Sequence, residues 1–407
     1  MTKQMDHSKK ILMLTSQHSP LDGRIFHLEA KTLRDAGHSV TIVAEKIENY
    51  PQYIDGVRII TYQKSGRGIF RKWNTLKALT SHAISIKADV LHVHEVDAPL
   101  LAAVWAKRSL SKRGRKIKIV FDSHEVWPFF FAGKTKNHFV RELIKHLVIF
   151  YENFMLSRYI DGVITAHEIE ENYYKFLDPW VPVRKVLGGP PVDSWDDPPV
   201  HTGPVTVIGY DGYFTFNRGM RTVLGAFEIV AAEFPDIRLL AAGDFKYPED
   251  KDYFEAWCER TGLRDRVEFT GWIDRSDIVN YLDRMDIGIV PNNPDIHSIR
   301  CWPANKMMYY MARAVPVVST PSPLYIDNIK KIGCGLVAAS FGHESVADSL
   351  RKLIENPDES RKMGIRGYKI AKQEYNWAKA RKELLSFYDE LDTFDKAKIG
   401  VISQDNY

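Results

Sequence analysis

Four apolar, β-rich runs of this chain each finish on a histidine, and three of those histidines precede a glutamate: His94-Glu95, His124-Glu125 and His167-Glu168, with His18 the fourth. Imidazole titrates nearest neutrality, and a carboxylate beside it can orient it. Such pairs therefore suit proton transfer or hydrogen bonding to a polar substrate. The competing reading is that the histidines cap strand ends by bonding backbone. A second stretch, Cys301 to Thr320 (CWPANKMMYYMARAVPVVST), has the outline of a phosphate site: a loop, a proline, a short helix, then a buried strand. Free N–H groups at a helix start can hold an anion whatever the side chains are. Here, however, the facing positions carry Cys, Met and Tyr. No GxGxxG follows the first strand, which argues against a nicotinamide dehydrogenase, and Walker-type loops are absent.

The elements that must position these residues alternate regularly. KILMLTS, SVTIVAE, ADVLHVHE, KIKIVFDSHE and YIDGVITAHE read as strands separated by helical stretches, the first helix (RIFHLEAKTLRDAGH) ending at the cap glycine Gly37. Strand, helix, strand in repetition means a parallel sheet with right-handed crossovers, and ligands gather at the carboxyl ends of such strands. Residues 186–204 (VLGGPPVDSWDDPPVHTGP) are rich in Pro and Gly and read as a linker. The alternation then restarts with VTVIGYDG, IRLLAAGD, VEFTGW, DIGIVPN and VPVVST. Two doubly wound α/β domains facing across a cleft are the expected architecture. The expected division is 1–186, a hinge at 187–203, 204–375, and a closing amphipathic helix over 376–395.

At 407 residues the chain exceeds one comfortable core, in keeping with two domains. A net charge of +4 is too small to imply a nucleic-acid partner. Three widely spaced cysteines without CxxC point to a reducing compartment and no structural zinc. The first apolar run is too short for a signal peptide and no run of about 18 apolar residues occurs, so a cytoplasmic protein is expected. Two segments leave peripheral contact with the inner membrane face open: the basic run 107–118 (KRSLSKRGRKIK) and the aromatic, basic, helical run 126–155. Their plainer readings are a solvated helix end and core packing.

Several of these stretches, in this order, resemble glycosyltransferase family 4, the "group 1" enzymes with the GT-B fold. PLDGRIFHLEAKTLRDAGHSVTIVA is similar to the family's first loop, helix and strand, and ADVLHVHEVDAP and VFDSHE to its next strand ends. RGMRTVLGAF, VEFTGWIDRSDIVNYLDRMDIGIVP and PANKMMYYMARAVPVVST follow its second domain, and YNWAKARKELLSFYDEL its closing helix, which crosses back to the first. The resemblance implies two Rossmann-like domains, acceptor side first and nucleotide-sugar side second. It also implies retaining, metal-independent transfer of a hexose from a nucleotide-diphosphate sugar to a glycan or lipid-linked acceptor, with no cofactor.

Residue by residue, the resemblance assigns donor binding to Gly23, Arg218, Gly219, Trp302, Asn305, Lys306 and Tyr309. Arg218 would stabilise the leaving diphosphate together with the helix start it opens. A first-domain histidine, His94 or His124, would contact the donor sugar, with Glu95 and Glu125 orienting the imidazoles. Asp22, Gly23 and Arg24 form the first loop, where Gly23 permits close approach to the phosphate or acceptor; Arg24 has the alternative of pairing with carboxylates near Glu29. The departures are specific. The family's first basic position is Tyr213, so Lys306 is the candidate second cation. Its two signature glutamates are Cys301 and Tyr309, Ala304 reads as an insertion, and its helix-ending Gly is Ala314, costing about 1 kcal/mol if the backbone there is left-handed. A non-catalytic GT-B scaffold that binds a nucleotide sugar or a partner glycosyltransferase is the alternative. A GT-B epimerase is a further one, lacking cleft carboxylates that can be placed.

Overall fold

The computed structural model describes residues 8–275, 277–291 and 302–394. The chain divides into two compact units: residues up to Gly188 together with those from Ala380 onward, and Gly189–Lys379 between them.

Unit 1 is built on an eight-stranded sheet of order β3-β4-β2-β1-β5-β6-β7-β8. Its strands are β1 (Lys10–Leu14), β2 (Ser39–Glu45), β3 (Tyr53–Ile54), β4 (Val57–Tyr62), β5 (Val90–Val93), β6 (Lys118–Ser123), β7 (Gly162–Thr165) and β8 (Val183–Lys185). All pairings are parallel except the short β3–β4 hairpin. β1, β5 and β7 are apolar almost throughout because helices cover both faces of the sheet. A π-helical turn (Ile25–Ala30) runs into α1 (Lys31–Asp35), and Gly37, at φ 91°, ends it as a left-handed cap.

α2 (Gly68–Ile86) joins β4 to β5, α3 (Ala98–Ser111) joins β5 to β6, and α4 (Trp127–Ala132) with α5 (His138–Arg158) joins β6 to β7. These crossovers all advance in one direction along the sheet, so the right-handed rule puts them on one face. The crossover from β1 to β2 runs the other way and lies on the opposite face. α6 (Glu168–Leu177) leads to β8.

Unit 2 carries a six-stranded parallel sheet of order β11-β10-β9-β12-β13-β14. Its strands are β9 (Val207–Asp211), β10 (Arg238–Ala242), β11 (Val267–Phe269), β12 (Ile287–Val290), β13 (Val317–Ser319) and β14 (Gly335–Val337). The helices are α7 (Met220–Glu233), α8 (Pro248–Thr261), α9 (Ile278–Leu282), α10 (Asn305–Ala312), α11 (Pro323–Ile332), α12 (His343–Glu355) and α13 (Pro357–Gln373). Its core packs Phe227, Leu224 and Val223 of α7 with Ile208, Leu239, Ile287 and Leu350. Ala314 does adopt the left-handed conformation, φ 55°, at the end of α10.

The last helix, α14 (Trp377–Thr393), belongs to unit 1 from Ala380 onward. Phe387 and Leu391 fill the space above Gly162 on β7, where a Cβ would lie 2.6 Å from the Phe387 ring. Tyr388 reaches His92 on β5, Oη to Nδ1 at 2.8 Å. No helix among the described residues is long and apolar enough to cross a membrane.

Candidate active site

In unit 1 the chemistry collects where β1, β5 and β6 end side by side. The parallel register pairs Val93 with Phe121, which sets His94 beside Asp122 one step on. Asp122 is the hub. Its Oδ2 bonds His94 Nδ1 at 3.1 Å and His124 Nε2 at 2.9 Å, while its Oδ1 accepts from Arg24 Nη2 at 3.0 Å. Burial opposes ionisation of Asp122, but Arg24 and then His124 hold its carboxyl well below the usual range. Glu29 goes the other way: burial raises it well above the usual range, and Asp122 adds to this against Arg24. Two acids and one guanidinium thus share a buried space, Asp122 shifted toward its charged form and Glu29 toward its neutral one.

His94 is fully buried, and burial pushes its pKa down to about 3 despite Asp122. A neutral ring next to an ionised Asp122 must carry its proton on Nδ1, leaving Nε2 as an acceptor. That Nε2 is buried without a hydrogen-bond partner among the described residues. His124 is the more accessible histidine, its side chain 17% exposed.

The carboxylate that orients these rings is Asp122, and the assignment of that role to Glu95 is corrected. Glu95 instead accepts from Thr15 Oγ1 at 2.6 Å and from the N–H groups of Ser16 and Gln17 at 3.1 Å each, pinning the loop after β1. Consecutive residues at a strand end point to opposite sides, so Glu95 cannot reach the ring that Asp122 reaches. For His167 the capping reading holds: it caps α6 in a capping box with Glu170.

The first loop is structural as well. Asp22 Oδ1 accepts from the N–H groups of Arg24 and Ile25, and Asp22 Oδ2 lies 3.3 Å from His18 Nδ1. Burial of His18 lowers its pKa, but Asp22, then Glu95 and Asp122, outweigh this and raise it. Gly23 is not in a left-handed conformation, so its backbone does not need glycine there. Arg24 takes the pairing alternative, with Nε 2.8 Å from Glu29 Oε1 and Nη1 donating to Val186 O at 2.6 Å. Ligand atoms of Glu29, His92, His94 and Asp122 lie within 4.8 Å of one another and could surround a cation. Arg24 already sits on both carboxylates and supplies that charge.

In unit 2 the candidates gather at the ends of β9 and β12. Gly219, at φ 80°, starts α7; a Cβ on it would lie 2.5 Å from Pro291 Cβ, so glycine alone lets the helix start approach the end of β12. The first-turn N–H groups of α7 lack intrahelical acceptors, as at any helix start. Arg218 precedes them, exposed and in no ion pair among the described residues. Lys306, on the first turn of α10, places Nζ 3.7 Å from the centroid of the Tyr210 ring. Burial pushes the Lys306 ammonium down to about 8; Asp211 pulls it up and Arg218 adds to the depression. Asp211 is raised by burial against Lys306, and its Oδ1 is buried without a hydrogen-bond partner among the described residues. Tyr210, under Lys306, donates its hydroxyl to Arg218 O at 3.4 Å, so Lys306, Arg218 and the start of α7 gather around one ring, with Asp211 the nearby acid.

Around this point stand aromatic groups. Tyr309 meets Trp195 edge to face, centroids 5.7 Å apart, and Arg275 lies 6.0 Å from its ring. Tyr213 has Trp272 at 6.2 Å and Lys246 Nζ at 6.0 Å, so a cation outside the expected set stands close to the position where Tyr213 replaces one. Asn305 is exposed at the start of α10. The Trp302 side chain is engaged in packing: its Nε1 donates to Tyr375 Oη at 3.1 Å and its ring packs on Tyr325, while the N–H of Ala304 donates to Tyr325 Oη. Of the backbone N–H groups at this helix start, that of Ala304 is thus committed within the protein. Cys301 lies outside the described residues.

Two families match the chain in succession: Glycosyltransferase Family 4 over residues 23–179 and Glycosyl transferases group 1 over 195–370. A search of curated proteins gave no significant match. Among solved structures, the fold is shared with a sucrose-phosphate synthase from Thermosynechococcus elongatus: TM-score 0.73, 16% identity, 95% of this chain and 100% of that one. It is shared with a glycosyltransferase from Rickettsia africae: TM-score 0.70, 15% identity, 94% and 98%. It is shared too with Anabaena Alr3699/HepE in complex with UDP and glucose: TM-score 0.68, 14% identity, 94% and 99%.

Proposed function

Because the chain belongs to the group 1 glycosyltransferases of family 4 and is a nucleotide-sugar glycosyltransferase, we propose that it transfers a hexose with retention of configuration. The donor is a nucleotide-diphosphate sugar. The acceptor is a glycan or a lipid-linked saccharide in polysaccharide or glycoconjugate biosynthesis, reached from the cytoplasm with peripheral contact at a membrane face.

The observation that carries this reading is the convergence of Arg218, Lys306 and the start of α7. As the sugar–phosphate bond breaks, the diphosphate gains negative charge, and preorganised donors aimed at that charge lower the barrier. Arg218 supplies a permanent charge and a planar fork; Lys306 supplies an ammonium that gains from an anion, since burial, and after it Arg218, destabilises its charged form. This cationic compensation is the basis for transfer without a metal ion. In unit 1, His94 or His124 contacts the donor sugar, with Asp122 fixing both rings. Gly219, Asn305 and Tyr309 complete the donor side, Tyr309 offering a hydroxyl and an aromatic face where the family carries a carboxylate.

Titration of UDP, GDP and ADP into the full chain and into Arg218→Ala tests the donor site. At least one nucleotide is expected to bind, and the substitution to weaken it by about 1.5–3 kcal/mol, the range for a charge-assisted bond. Unchanged affinity would remove Arg218 from the site; no binding at all would overturn the reading. The tyrosines at 213 and 309 favour a second reading, a non-catalytic scaffold that binds the nucleotide sugar. Donor hydrolysis without acceptor separates the two, since a scaffold leaves the donor intact.

A further inference from the structure

The large exposed hydrophobic side chains of unit 1 are concentrated on one helix. On α5, Phe139 (78% exposed), Leu143 (50%), Leu147 (59%), Phe150 (73%) and Phe154 (46%) follow one another at steps of four, four, three and four residues. At 3.6 residues per turn these five fall within about 80° of arc. Glu152, Met155 and Leu156 are buried on the other side. The helix therefore packs one apolar side inward and holds a second apolar stripe, four turns long, in water. Scattered exposed hydrophobics need no explanation, but a continuous stripe marks a surface that something covers. At the start of α2, in the same helical layer, Ile69 and Phe70 are also exposed.

Charge says what covers it. The three crossovers of this layer, residues 63–89, 94–117 and 124–161, hold 17 Lys and Arg against seven acids, in a chain of net charge only +4. Glu152, one of the seven, is buried, accepting from the hydroxyls of Tyr173 and Tyr174. Lys134 and Lys136 stand exposed just before α5, and Arg67, Arg71 and Lys72 around the start of α2. A second copy of the chain would bring this positive layer against itself. An apolar stripe with basic residues ahead of it and beside it has the chemistry of a helix lying in a lipid headgroup layer.

We propose that the layer formed by α2, α3 and α5 seats unit 1 on an anionic lipid bilayer. The α5 stripe enters the boundary between headgroups and acyl chains, and Lys134, Lys136 and the first turn of α2 meet lipid phosphates. This extends the lipid-linked branch of the function proposed above, and it is tested without donor or acceptor.

The full chain is sedimented with vesicles of phosphatidylcholine alone and of phosphatidylcholine mixed with phosphatidylglycerol. Binding is expected only to the anionic vesicles and is expected to weaken as salt rises. The triple substitution Phe139→Ser, Leu147→Ser, Phe150→Ser should lower the partition coefficient by at least roughly tenfold, since three large side chains no longer enter the bilayer. Thermal unfolding and nucleotide titration check that the variant is folded. Lys134→Glu with Lys136→Glu should weaken binding to anionic vesicles by at least several-fold, about 1 kcal/mol per basic residue near such a surface. The proposal falls if the wild type stays in the supernatant with both vesicle types or if the triple variant binds as the wild type does. It falls equally if the stripe proves to hold a dimer that the triple substitution dissociates, with no vesicle binding. Vesicle binding without nucleotide binding would count against the donor reading and for this one.

Discussion

Lys306 ties nucleotide affinity to pH in a way that can be worked out beforehand. In the free protein its ammonium is pushed down to about 8 from an ordinary 10.5, first by burial and then by Arg218. A bound diphosphate places negative charge beside it and returns its pKa toward the ordinary value. The sign follows from proton counting. Above about pH 8 the free protein has lost this proton and the complex has kept it, so binding takes up a proton and weakens as pH rises. Below about pH 7 Lys306 is protonated in both states and adds no further pH dependence. Full restoration to 10.5 makes affinity fall by about tenfold between pH 7 and pH 9, or about 1.4 kcal/mol. Calorimetry in buffers of different ionisation enthalpy reads both quantities, the affinity and the protons taken up, for whichever nucleoside diphosphate binds. Lys306→Met serves as the control: it lowers affinity at pH 7 and loses the Lys306 part of the dependence, and any slope from the base itself remains in the variant and is subtracted. A wild-type affinity independent of pH, or the same slope in Lys306→Met, would refute the reasoning.

Three further outcomes are expected. Asp122→Asn leaves the Arg24 guanidinium buried without its ionised partner and should cost about 3–5 kcal/mol in urea unfolding; a loss below about 1 kcal/mol would show that Asp122 is not the hub. Ala314→Gly relieves a left-handed alanine and should raise unit 2's stability by roughly 0.5–1 kcal/mol after the greater freedom of glycine in the unfolded chain is counted, whereas a decrease would contradict the φ of 55°. Tyr309→Phe should weaken the nucleotide by about 0.5–1.5 kcal/mol, one neutral hydrogen bond, and Tyr309→Glu should be tolerated; indifference to both, with binding intact, would place Tyr309 outside the ribose site.

Both sheets were readable in outline from period and punctuation, because strands buried on both faces read as unbroken apolar runs. Four strands were not: β3, β8 and β14, with two or three residues each, are too short to show a period, and β4 (Val57–Tyr62), which pairs with β3, went unread with it. The histidines of the candidate site were legible as types, but their partner was not. Glu95 adjoins His94 in sequence, whereas Asp122 lies 28 residues away and is brought alongside by the register of β5 and β6. The Arg24–Glu29 pair was open as an alternative in the sequence, and the geometry that makes it was not. It is spaced by five, and five is the spacing that a π-helical turn aligns, as the bond from Glu29 N–H to Arg24 O shows. On α5 the sequence shows apolar residues on two sides of a helix without saying which side the sheet takes.

The assignment of α14 to unit 1 has a consequence for synthesis. A chain leaves the ribosome from its N-terminus, and domains generally fold as they emerge. Here the strands of unit 1 emerge first, yet His92 lacks its hydroxyl partner Tyr388, and Gly162 its cover of Phe387 and Leu391, until nearly the whole chain has been made. Unit 2 is continuous and needs nothing that comes later than Lys379. The half that is translated first is therefore the half completed last. A nascent chain stalled before Ala380 carries a finished second unit and an unfinished first one.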